Sequence, residues 1–415
     1  MKDQKNYLGP FITMVFLFFI VGFLTVVFQQ FQKPLESAFL ANVGSIKNTL
    51  AVMVTFAWFL AYPLTGGLGS KWVDKFGYKK TLGRALIIMI FGLIISSGSA
   101  WMGSKTDVAI GGISIGFFVF LIGSFVVGSA ATVMQVVINP YLIASKVKGT
   151  SEVQRNIIGG SSNSVGTTIA PYFVSGIIFG GVAIADIKID QVIIPFLILA
   201  ATILIVALIV GRLNLPNIEG TTNEGGEKLE KSVWSFSHLK LGVIGIFCYV
   251  GIEVAIGANI NMYATWLGGS FAAKASLMAT LYWGGMLVGR LIGSTLNKIS
   301  PQTQLTVTTI GATLLVLASI FTGNPWLLVG VGLLHSIMWS GIFTLAIAKL
   351  GKYMPKGSGA LMIGVIGGAI IPLVQGMMAD ALRGVWTWTW LIVVVGELYI
   401  LYYALIGSKV KQSAE

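Results

Sequence analysis

The sequence predicts an all-α integral membrane protein with about twelve transmembrane helices. Hydrophobic residues make up 55% of the 415-residue chain and charged residues only 10%, a composition that soluble domains do not show. Continuous apolar runs of about 20 residues recur from end to end, and this length crosses a hydrocarbon core about 30 Å thick. The runs do not alternate between polar and apolar residues as the strands of a membrane barrel do, so helices are the expected spanning elements.

The first apolar run has a second interpretation, a removable signal peptide over residues 1–31. That segment is too long for a signal peptide and lacks a convincing small-residue cleavage site, so we interpret it as the first span. The predicted spans are residues 10–31, 48–69, 82–102, 112–142, 157–182, 191–213, 240–264, 273–296, 304–323, 325–348, 357–379 and 386–408.

Basic residues are distributed unequally between the two sides of the predicted bundle. With a cytoplasmic N-terminus, 21 of the 27 Lys and Arg residues lie on the cytoplasmic side, as the positive-inside rule requires. The six that face outward are Lys33, Lys47, Lys105, Lys188, Lys274 and Arg383. Both termini are therefore expected in the cytoplasm, and the net charge of +12 needs no nucleic-acid partner.

One polar stretch divides the chain. Residues 214–239 are rich in charged residues, asparagine and glycine, which is typical of a flexible cytoplasmic linker. They separate an N-terminal half, residues 1–213, from a C-terminal half, residues 240–415, and each half has about six spans. Transporters built from two pseudo-symmetric halves hold their substrate between them near the bilayer midplane, and the halves rock about that site.

Of the 15 acidic residues, only Glu253 and Glu397 fall deep inside predicted spans, and only Glu253 has polar neighbours. An ionisable group at membrane depth is strongly disfavoured, so it usually faces a cavity and carries an ion, a proton or a ligand. Glu253 is therefore the predicted cation-coupling residue. The alternative is a structural acid that braces its helix, with Tyr249 one turn earlier on the same face.

Signatures of catalysis and of cofactor binding are missing from the sequence. The one cysteine, Cys248, allows no disulfide within the chain, and the two histidines, His238 and His335, form no spaced metal pair. No phosphate-binding loop for ATP is present. We therefore expect neither an enzyme nor a cofactor or metal site, and we expect transport to be driven by a gradient of H+ or Na+, or to run downhill.

The loop between spans 2 and 3 contains a motif. Residues 69–80, Gly-Ser-Lys-Trp-Val-Asp-Lys-Phe-Gly-Tyr-Lys-Lys, resemble the major facilitator signature Gly-x-x-x-Asp-Arg/Lys-x-Gly-Arg/Lys-Arg/Lys, although Ser70 replaces the leading glycine and Tyr78 the first basic residue. The residues to which this resemblance assigns conformational gating are Asp74, Lys75, Gly77 and Lys79. The alternative is an ordinary positively charged loop. Arg290, at the cytoplasmic end of span 8, either contributes to gating or snorkels to the interface.

A narrower resemblance extends over nearly the whole chain. Residues 134–141 read Met-Gln-Val-Val-Ile-Asn-Pro-Tyr, residues 247–257 contain Tyr-Val-Gly-Ile-Glu, and residues 366–380 contain Gly-Gly, Ile-Pro and Gln-Gly-x-x-x-Asp. These segments resemble the sugar symporters of the major facilitator superfamily that include fucose permease and bacterial glucose/galactose transporters. Glutamate at the position of Glu253 is typical of the glucose/galactose branch. The resemblance implies the major facilitator fold and the import of a neutral sugar.

Two acidic positions of fucose permease carry amides in this chain. Gln29 and Gln30, followed by Gln32, stand where its first span has an Asn-Asp pair, and Gln135 replaces its acid in span 4. A glutamine can hydrogen-bond a sugar hydroxyl but cannot take up a proton near neutral pH. If coupling is by protons, Glu253 must therefore carry it almost alone.

The predicted spans contain the two kinds of side chain that a neutral sugar site needs. Planar amides match pairs of hydroxyls, and aromatic rings pack on the apolar C–H faces of a sugar. The predicted sugar-binding amides are Gln30, Gln135, Asn139, Asn163, Asn259, Asn261 and Gln375. Candidate platforms are Tyr249, Tyr263, Tyr282, Trp283 and Trp339, of which Tyr249 and Trp339 are assigned to the sugar. Anchoring at the membrane interface is the alternative for any single aromatic.

Several other polar residues have a structural alternative. Gln135 and Asn139 share one helix face, where hydrogen bonding between helices competes with sugar binding as an explanation. Asn163 lies among small residues that favour close packing. His335 is either a proton relay or a packing residue. Glu397 lies in span 12, at the periphery of the fold that the chain resembles, so we expect a structural role for it.

The sequence therefore predicts a secondary active transporter in the cell (inner) membrane. We expect it to import a neutral monosaccharide, a hexose such as glucose or galactose or a related sugar, with a co-transported cation, H+ in preference to Na+, by alternating access. The alternatives are a sodium-coupled carrier, a uniporter and an exporter of amphipathic compounds. An exporter would have a more apolar cavity with fewer amides. The sugar and the lipid bilayer are the expected partners, and the protein is expected to be a monomer.

Overall fold

The computed structural model describes residues 7–106, 108–145, 147–150, 152–182, 188–213, 215, 231–293, 295–296 and 298–411. Its α-helices are α1 Leu8–Gln30, α2 Gln32–Phe39, α3 Lys47–Lys105, α4 Ile115–Ala144, α5 Glu152–Tyr172, α6 Ile193–Arg212, α7 Ser237–Leu267, α8 Gly269–Ala273, α9 Ala275–Gly293, α10 Pro301–Thr322, α11 Trp326–His335, α12 Met338–Ile347, α13 Met354–Ile363, α14 Gly367–Ala381 and α15 Leu391–Tyr402. Turns of π-helix continue α5 at Phe173–Ile178 and α15 at Tyr403–Gly407.

Within these residues, 10 helical segments are long and apolar enough to cross a membrane. One of them, α3, has 59 residues and covers two predicted spans, because Gly77 adopts a positive φ of 76° and bends the helix. A further predicted span, 157–182, corresponds to α5 with its π turn. Every predicted span is therefore helical, and the all-α membrane fold is confirmed.

A short hairpin precedes α4 and was not expected from the apolar pattern. Its strands are β1, Ala109–Ile110, and β2, Ile113–Ser114, which pair antiparallel. Gly111 and Gly112 both have positive φ values, 59° and 81°, as a tight hairpin turn requires. The predicted span 112–142 therefore begins too early, since α4 starts only at Ile115.

Two membrane crossings of the C-terminal half are broken helices. The tenth crossing consists of α11 and α12, which are interrupted between His335 and Met338. The eleventh consists of α13 and α14, which are joined by a 3-10 turn at Gly364–Ile366. A break in a membrane helix frees backbone carbonyls that need new partners. The Tyr249 hydroxyl supplies one, because it donates to the His335 backbone oxygen at 3.0 Å.

The N-terminal helices contact the C-terminal helices mainly through α3 with α14 and α5 with α9, and to a smaller extent through α1 with α7. Most of the predicted linker, residues 214 and 216–230, lies outside the described residues. The linker and the domain boundaries therefore stay predictions.

Candidate functional site

Glu253 lies in the middle of α7, where it is half-buried among side chains from other helices. Its carboxyl group interacts electrostatically with Arg290 on α9 and with His335 at the end of α11. Tyr249, one turn earlier on α7, lies within hydrogen-bond reach of the same carboxyl. The carboxyl therefore lies within electrostatic range of a guanidinium and an imidazole and within hydrogen-bond reach of a hydroxyl.

Arg290 connects this group to the N-terminal half. Its Nη1 atom donates to Oγ of Ser164 on α5 at 2.5 Å. The Ser164 hydroxyl in turn donates to the Gly160 carbonyl, one turn earlier, at 3.0 Å. The sequence suggests gating or snorkelling for Arg290, and in the structure its guanidinium interacts electrostatically with Glu253 and contacts the opposite half.

Gln135 and Asn139 lie one turn apart on α4, and both side chains are partly exposed. The Gln135 Nε2 atom donates to the hydroxyl of Tyr62 on α3 at 2.6 Å. The Tyr62 ring stacks on Phe59, with centroids 5.6 Å apart and planes inclined by 17°. A half-exposed amide pair beside an aromatic ring provides the donors, acceptors and apolar face that a sugar requires.

Asn163 joins two helices of the N-terminal half. Its Nδ2 atom donates to the Phe18 carbonyl of α1 at 3.0 Å. A β-carbon on Gly22 would lie 2.4 Å from the Asn163 backbone oxygen, so α1 and α5 touch at this point. The contact uses one amide hydrogen for packing, and the sugar-binding role of Asn163 stays a prediction.

Two of the predicted sugar-binding amides connect the halves directly. Gln30, at the end of α1, donates from Nε2 to the Gly257 carbonyl of α7 at 3.2 Å. Asn261 Nδ2 donates to the Oε1 atom of Gln30. Both side chains are buried in this conformer. Their hydrogen bonds hold α1 against α7, and their contact with sugar stays a prediction.

Two further amides, Asn259 and Gln375, are completely buried within the C-terminal half. Asn259 Nδ2 donates to Gln375 Oε1 at 2.9 Å, and Gln375 Nε2 donates to the hydroxyl of Thr389 at 3.1 Å. The chain of bonds links α7, α14 and the turn before α15. In this conformer the two amides are hydrogen-bonded to each other.

The two assigned aromatic platforms have different environments. Tyr249 is buried and bonded to the helix break at His335, whereas Trp339 on α12 is half-buried. The Trp339 ring lies 6.4 Å from Tyr249 and stacks on Phe343 at 6.3 Å. Trp339 therefore has the more accessible ring of the two.

The loop motif lies at the bend of α3. Gly69 packs closely on α4, where a β-carbon would lie 3.3 Å from Val136 Cγ2, so the close approach is made one residue before Ser70. Asp74 and Lys75 are exposed, and Lys79 is half-buried. Within the described residues the Asp74 carboxylate forms no ion pair. The gating role of this loop stays a prediction.

The prediction overlooked Asp380, which connects the halves at the end of α14. Its carboxylate accepts hydrogen bonds from the backbone N and Nδ2 of Asn48, at 3.1 and 2.7 Å, and from the backbone N and Oγ1 of Thr49, at 2.7 and 2.5 Å. The donors form the first turn of α3, where a negative charge is favoured. The Gln-Gly-x-x-x-Asp segment contained Asp380, but its sequence gave no indication of the partner helix.

The Asp380 bonds and the Gln30–Asn261 bond lie at the same end of the bundle. This is the end at which α1 and α14 stop and α3 begins. The halves are therefore fastened together at this end, which we call the α1-terminal end. The Asp74 loop lies at the opposite end.

Comparison with known proteins agrees with this architecture. The profile of the Major Facilitator Superfamily matches residues 7–370. Over 418 residues the chain is 31% identical to the glucose/galactose transporter of Brucella abortus biovar 1 (strain 9-941), with 98% of this chain and 96% of the relative covered.

Two solved structures have a similar fold. A variant of the Escherichia coli fucose:proton symporter gives a TM-score of 0.68 at 21% identity, covering 98% of this chain and 100% of that one. The inward-open xylose transporter of Escherichia coli gives a TM-score of 0.71 at 15% identity, covering 99% and 97%. The profile match and the full-length relative identify the family: this chain belongs to the major facilitator superfamily.

Proposed function

We propose that this protein is a secondary transporter that imports a neutral monosaccharide together with a proton by alternating access. One observation carries the proposal: Glu253 interacts electrostatically with Arg290, and Arg290 is bonded to Ser164 in the opposite half. A change of charge at Glu253 can therefore alter a contact between the two halves. The glucose/galactose transporter of Brucella abortus, similar over nearly the full length of both chains, supports a hexose as the substrate.

The neighbours of Glu253 favour a proton over sodium. A sodium ion would need several oxygen ligands, and it would be repelled by the guanidinium of Arg290. A proton needs only the carboxylate. Protonation neutralises Glu253 and leaves Arg290 free to keep its bond to Ser164.

We assign sugar recognition first to Gln135 and Asn139 on α4. These amides are partly exposed, and Gln135 is bonded to Tyr62, whose ring offers an apolar face. Trp339, from the opposite half, is half-buried and supplies a second ring. A sugar held between α4 and α12 would contact both halves. We further propose that Gln30 and Asn261 act in this conformer as a gate.

Alternating access requires the fastened end to open. The Asp380 and Gln30 contacts close the α1-terminal end, whereas at the other end the Asp74 carboxylate forms no ion pair with any described residue. Sugar and proton together shift the population between the two arrangements only if they bind one of them more tightly. Opening the α1-terminal end must break the bonds of Asp380 to α3, and the Asp74 loop is then expected to form contacts with the C-terminal half.

We place the protein in the bacterial inner membrane as a monomer, with both termini in the cytoplasm. The excess of Lys and Arg on one side of the predicted spans supports this orientation. The α1-terminal end is then external, and the conformer with the Asp380 and Gln30 contacts is closed toward the outside.

The proposal is tested with purified protein in proteoliposomes. Two assays are run on each variant: exchange of labelled hexose against unlabelled hexose, and accumulation of hexose driven by an imposed proton gradient. Glu253→Gln should retain exchange within about threefold of wild type while accumulation falls at least about tenfold, because a glutamine cannot cycle a proton. The accumulation assay is repeated with an imposed sodium gradient in place of the proton gradient.

Glu36→Gln is the matched control. Glu36 is also a buried acid, but it lies on α2 and pairs with Lys33 at 2.7 Å and with Lys47 at 3.9 Å. Its substitution should leave the ratio of accumulation to exchange unchanged. Normal proton-driven accumulation by Glu253→Gln would refute the coupling role. Failure of the wild type to exchange glucose, galactose, fucose or xylose would refute sugar transport itself.

A further inference from the structure

Two ionisable side chains of the C-terminal half form a buried pair that the proposed function does not use. His335, the last residue of α11, and Glu397, in the middle of α15, are both completely buried. His335 Nε2 and Glu397 Oε1 lie 2.6 Å apart, a distance typical of a charge-assisted hydrogen bond. Among the described residues, Oε2 of Glu397 has no hydrogen-bond partner. The carboxyl for which the sequence favoured a structural role thus has a titratable partner.

Stability alone does not account for such a pair. Replacing a buried ion pair by apolar residues of similar volume is often neutral or stabilising, because desolvation offsets the attraction between the charges. Ionisable groups that persist at membrane depth commonly belong to proton or ion pathways. His335 also ends a helix, where the helix dipole favours a positive charge. The imidazole is therefore well placed to take up a proton.

Tyr282 on α9 joins this pair to α7. Its hydroxyl lies 2.9 Å from His335 Nδ1 and 3.1 Å from the backbone oxygen of Glu253. A hydroxyl has only one hydrogen to donate. When the imidazole carries both protons, Nδ1 donates to Tyr282, and Tyr282 donates to the Glu253 carbonyl. When Nδ1 has lost its proton, it accepts from Tyr282, and the carbonyl loses that donor.

We propose that His335 and Glu397 form a second proton-binding site, and that Tyr282 acts as a positioning residue that links the charge of this site to α7 at Glu253. The proton-bound site is neutral, an imidazolium beside a carboxylate. Release of the Nδ1 proton to water leaves one negative charge on the pair. Because Glu253 interacts electrostatically with His335, the two sites do not lose their protons independently. The effect on transport rests on the proposed function, whereas proton binding itself does not.

The groups around the imidazole are few. The ionisable side chains that face the pair and its tyrosine partner come from α7, α9 and α15, and they are Tyr249, Glu253, Tyr282, Arg290 and Glu397. The helices α10 and α12 also pack against α11, and they contain no ionisable side chain. A titration of His335 therefore reports mainly on Glu397, Tyr282 and Glu253.

The chain has only two histidines, so the site can be observed directly. Protein labelled with 15N-histidine gives two imidazole signals, and His238→Gln assigns them. We expect the two His335 nitrogen signals to change with pH, reporting protonation and tautomer together. Glu253→Gln and Tyr282→Phe should each move the midpoint by about one pH unit or more. Either a His335 that holds one protonation state throughout, or a midpoint that both substitutions leave in place, overturns the proposal.

Tyr403→Phe is the matched control. Tyr403 is equally buried, and its hydroxyl donates to the His238 backbone oxygen of α7 at 3.1 Å, the same kind of bond as that of Tyr282 to Glu253. It should leave the His335 midpoint unchanged. In proteoliposomes, Tyr282→Phe should lower the ratio of proton-driven accumulation to exchange about tenfold, and Tyr403→Phe should preserve it. An unchanged ratio in Tyr282→Phe overturns the link to transport.

The two measurements separate the two hypotheses. The NMR titration does not depend on transport. A protein that exchanges no sugar would therefore refute the proposed function, and the NMR titration of His335 would still decide whether the proton site exists. The ratio of proton-driven accumulation to exchange, measured on one variant, also cancels differences in the amount of folded protein. If Tyr282→Phe does not fold, the His335 midpoint measured in Glu253→Gln decides the proposal.

Discussion

The polar residues proposed to bind sugar on α4 and those proposed to bind the proton on α7 and α9 differ in kind. On the N-terminal side, Gln135 and Asn139 are neutral amides, whereas Glu253 and Arg290 on the C-terminal side are ionisable or permanently charged. A sugar offers hydroxyls that amides match well, but proton binding requires a group that changes charge. The difference points to a division of labour, with the amides that bind sugar hydroxyls in the N-terminal half and proton binding in the C-terminal half. The bond of Arg290 to Ser164 connects the two functions.

The largest effect is expected on the charged side. In Arg290→Gln, the Glu253 carboxylate loses its permanent counter-ion and retains a proton, because an uncompensated charge at this depth is strongly disfavoured. Proton-driven accumulation should fall at least about tenfold. Exchange should change only about fivefold, because the bond to Ser164 is lost as well, and sugar affinity should stay within about threefold of wild type. Accumulation and exchange are measured in proteoliposomes, and sugar affinity is measured by isothermal titration calorimetry on the same preparation.

Arg290→Lys is the informative control for this prediction. It keeps the charge but loses the planar guanidinium, so accumulation should be partly retained. The double variant of Glu253→Gln with Arg290→Gln should be no worse than either single change, since both remove the same interaction. If the two losses simply add, Glu253 and Arg290 act independently, and the C-terminal half does not contain a single coupling unit.

The fold was predictable because bilayer thickness fixes the length of an apolar run. Hydropathy placed most spans, including the two that α3 combines around Gly77, whereas α5 is not among the ten described segments that are long and apolar enough to cross a membrane. It misplaced the start of α4, since the isoleucines of the hairpin before it are as apolar as a helix. Local apolarity does not distinguish a short strand from the first turn of a membrane helix.

The arrangement of the site was less predictable, because partners distant in the sequence decide what an amide does. Gln135 and Gln375 are both glutamines within spans, yet Gln135 is half-exposed beside Tyr62 and Gln375 is completely buried against Asn259. The partner of Glu397 is 62 residues away, at His335. No spacing rule within one helix indicates such contacts.

An intermediate effect is expected on the neutral side. Gln135→Ala removes an amide that can make two hydrogen bonds to adjacent hydroxyls, which corresponds to about 1–3 kcal/mol, or roughly a fivefold to 150-fold rise in sugar Kd. The number of protons carried per sugar should not change. Gln302→Ala, at an exposed position on α10, is the control. Unchanged sugar affinity by calorimetry would assign Gln135 to helix packing with Tyr62.

The smallest effect is expected where the halves meet. Ser164→Ala removes the acceptor of Arg290 but leaves both the amide pair and Glu253 intact. Loss of this one partly solvated hydrogen bond corresponds to about 1 kcal/mol, so the transport rate should change about fivefold. Sugar Kd and the number of protons per sugar should stay the same, because neither binding group is altered.

Ser162→Ala is the matched control for this smallest effect. The Ser162 hydroxyl donates to the Val15 carbonyl at 3.0 Å, a bond that lies within the N-terminal half. Removing it should leave the transport rate unchanged. If Ser164→Ala instead lowers the number of protons per sugar, the serine belongs to the proton site. The boundary between the neutral and the charged regions would then lie inside the N-terminal half, and Arg290 would be a shared ligand of both halves.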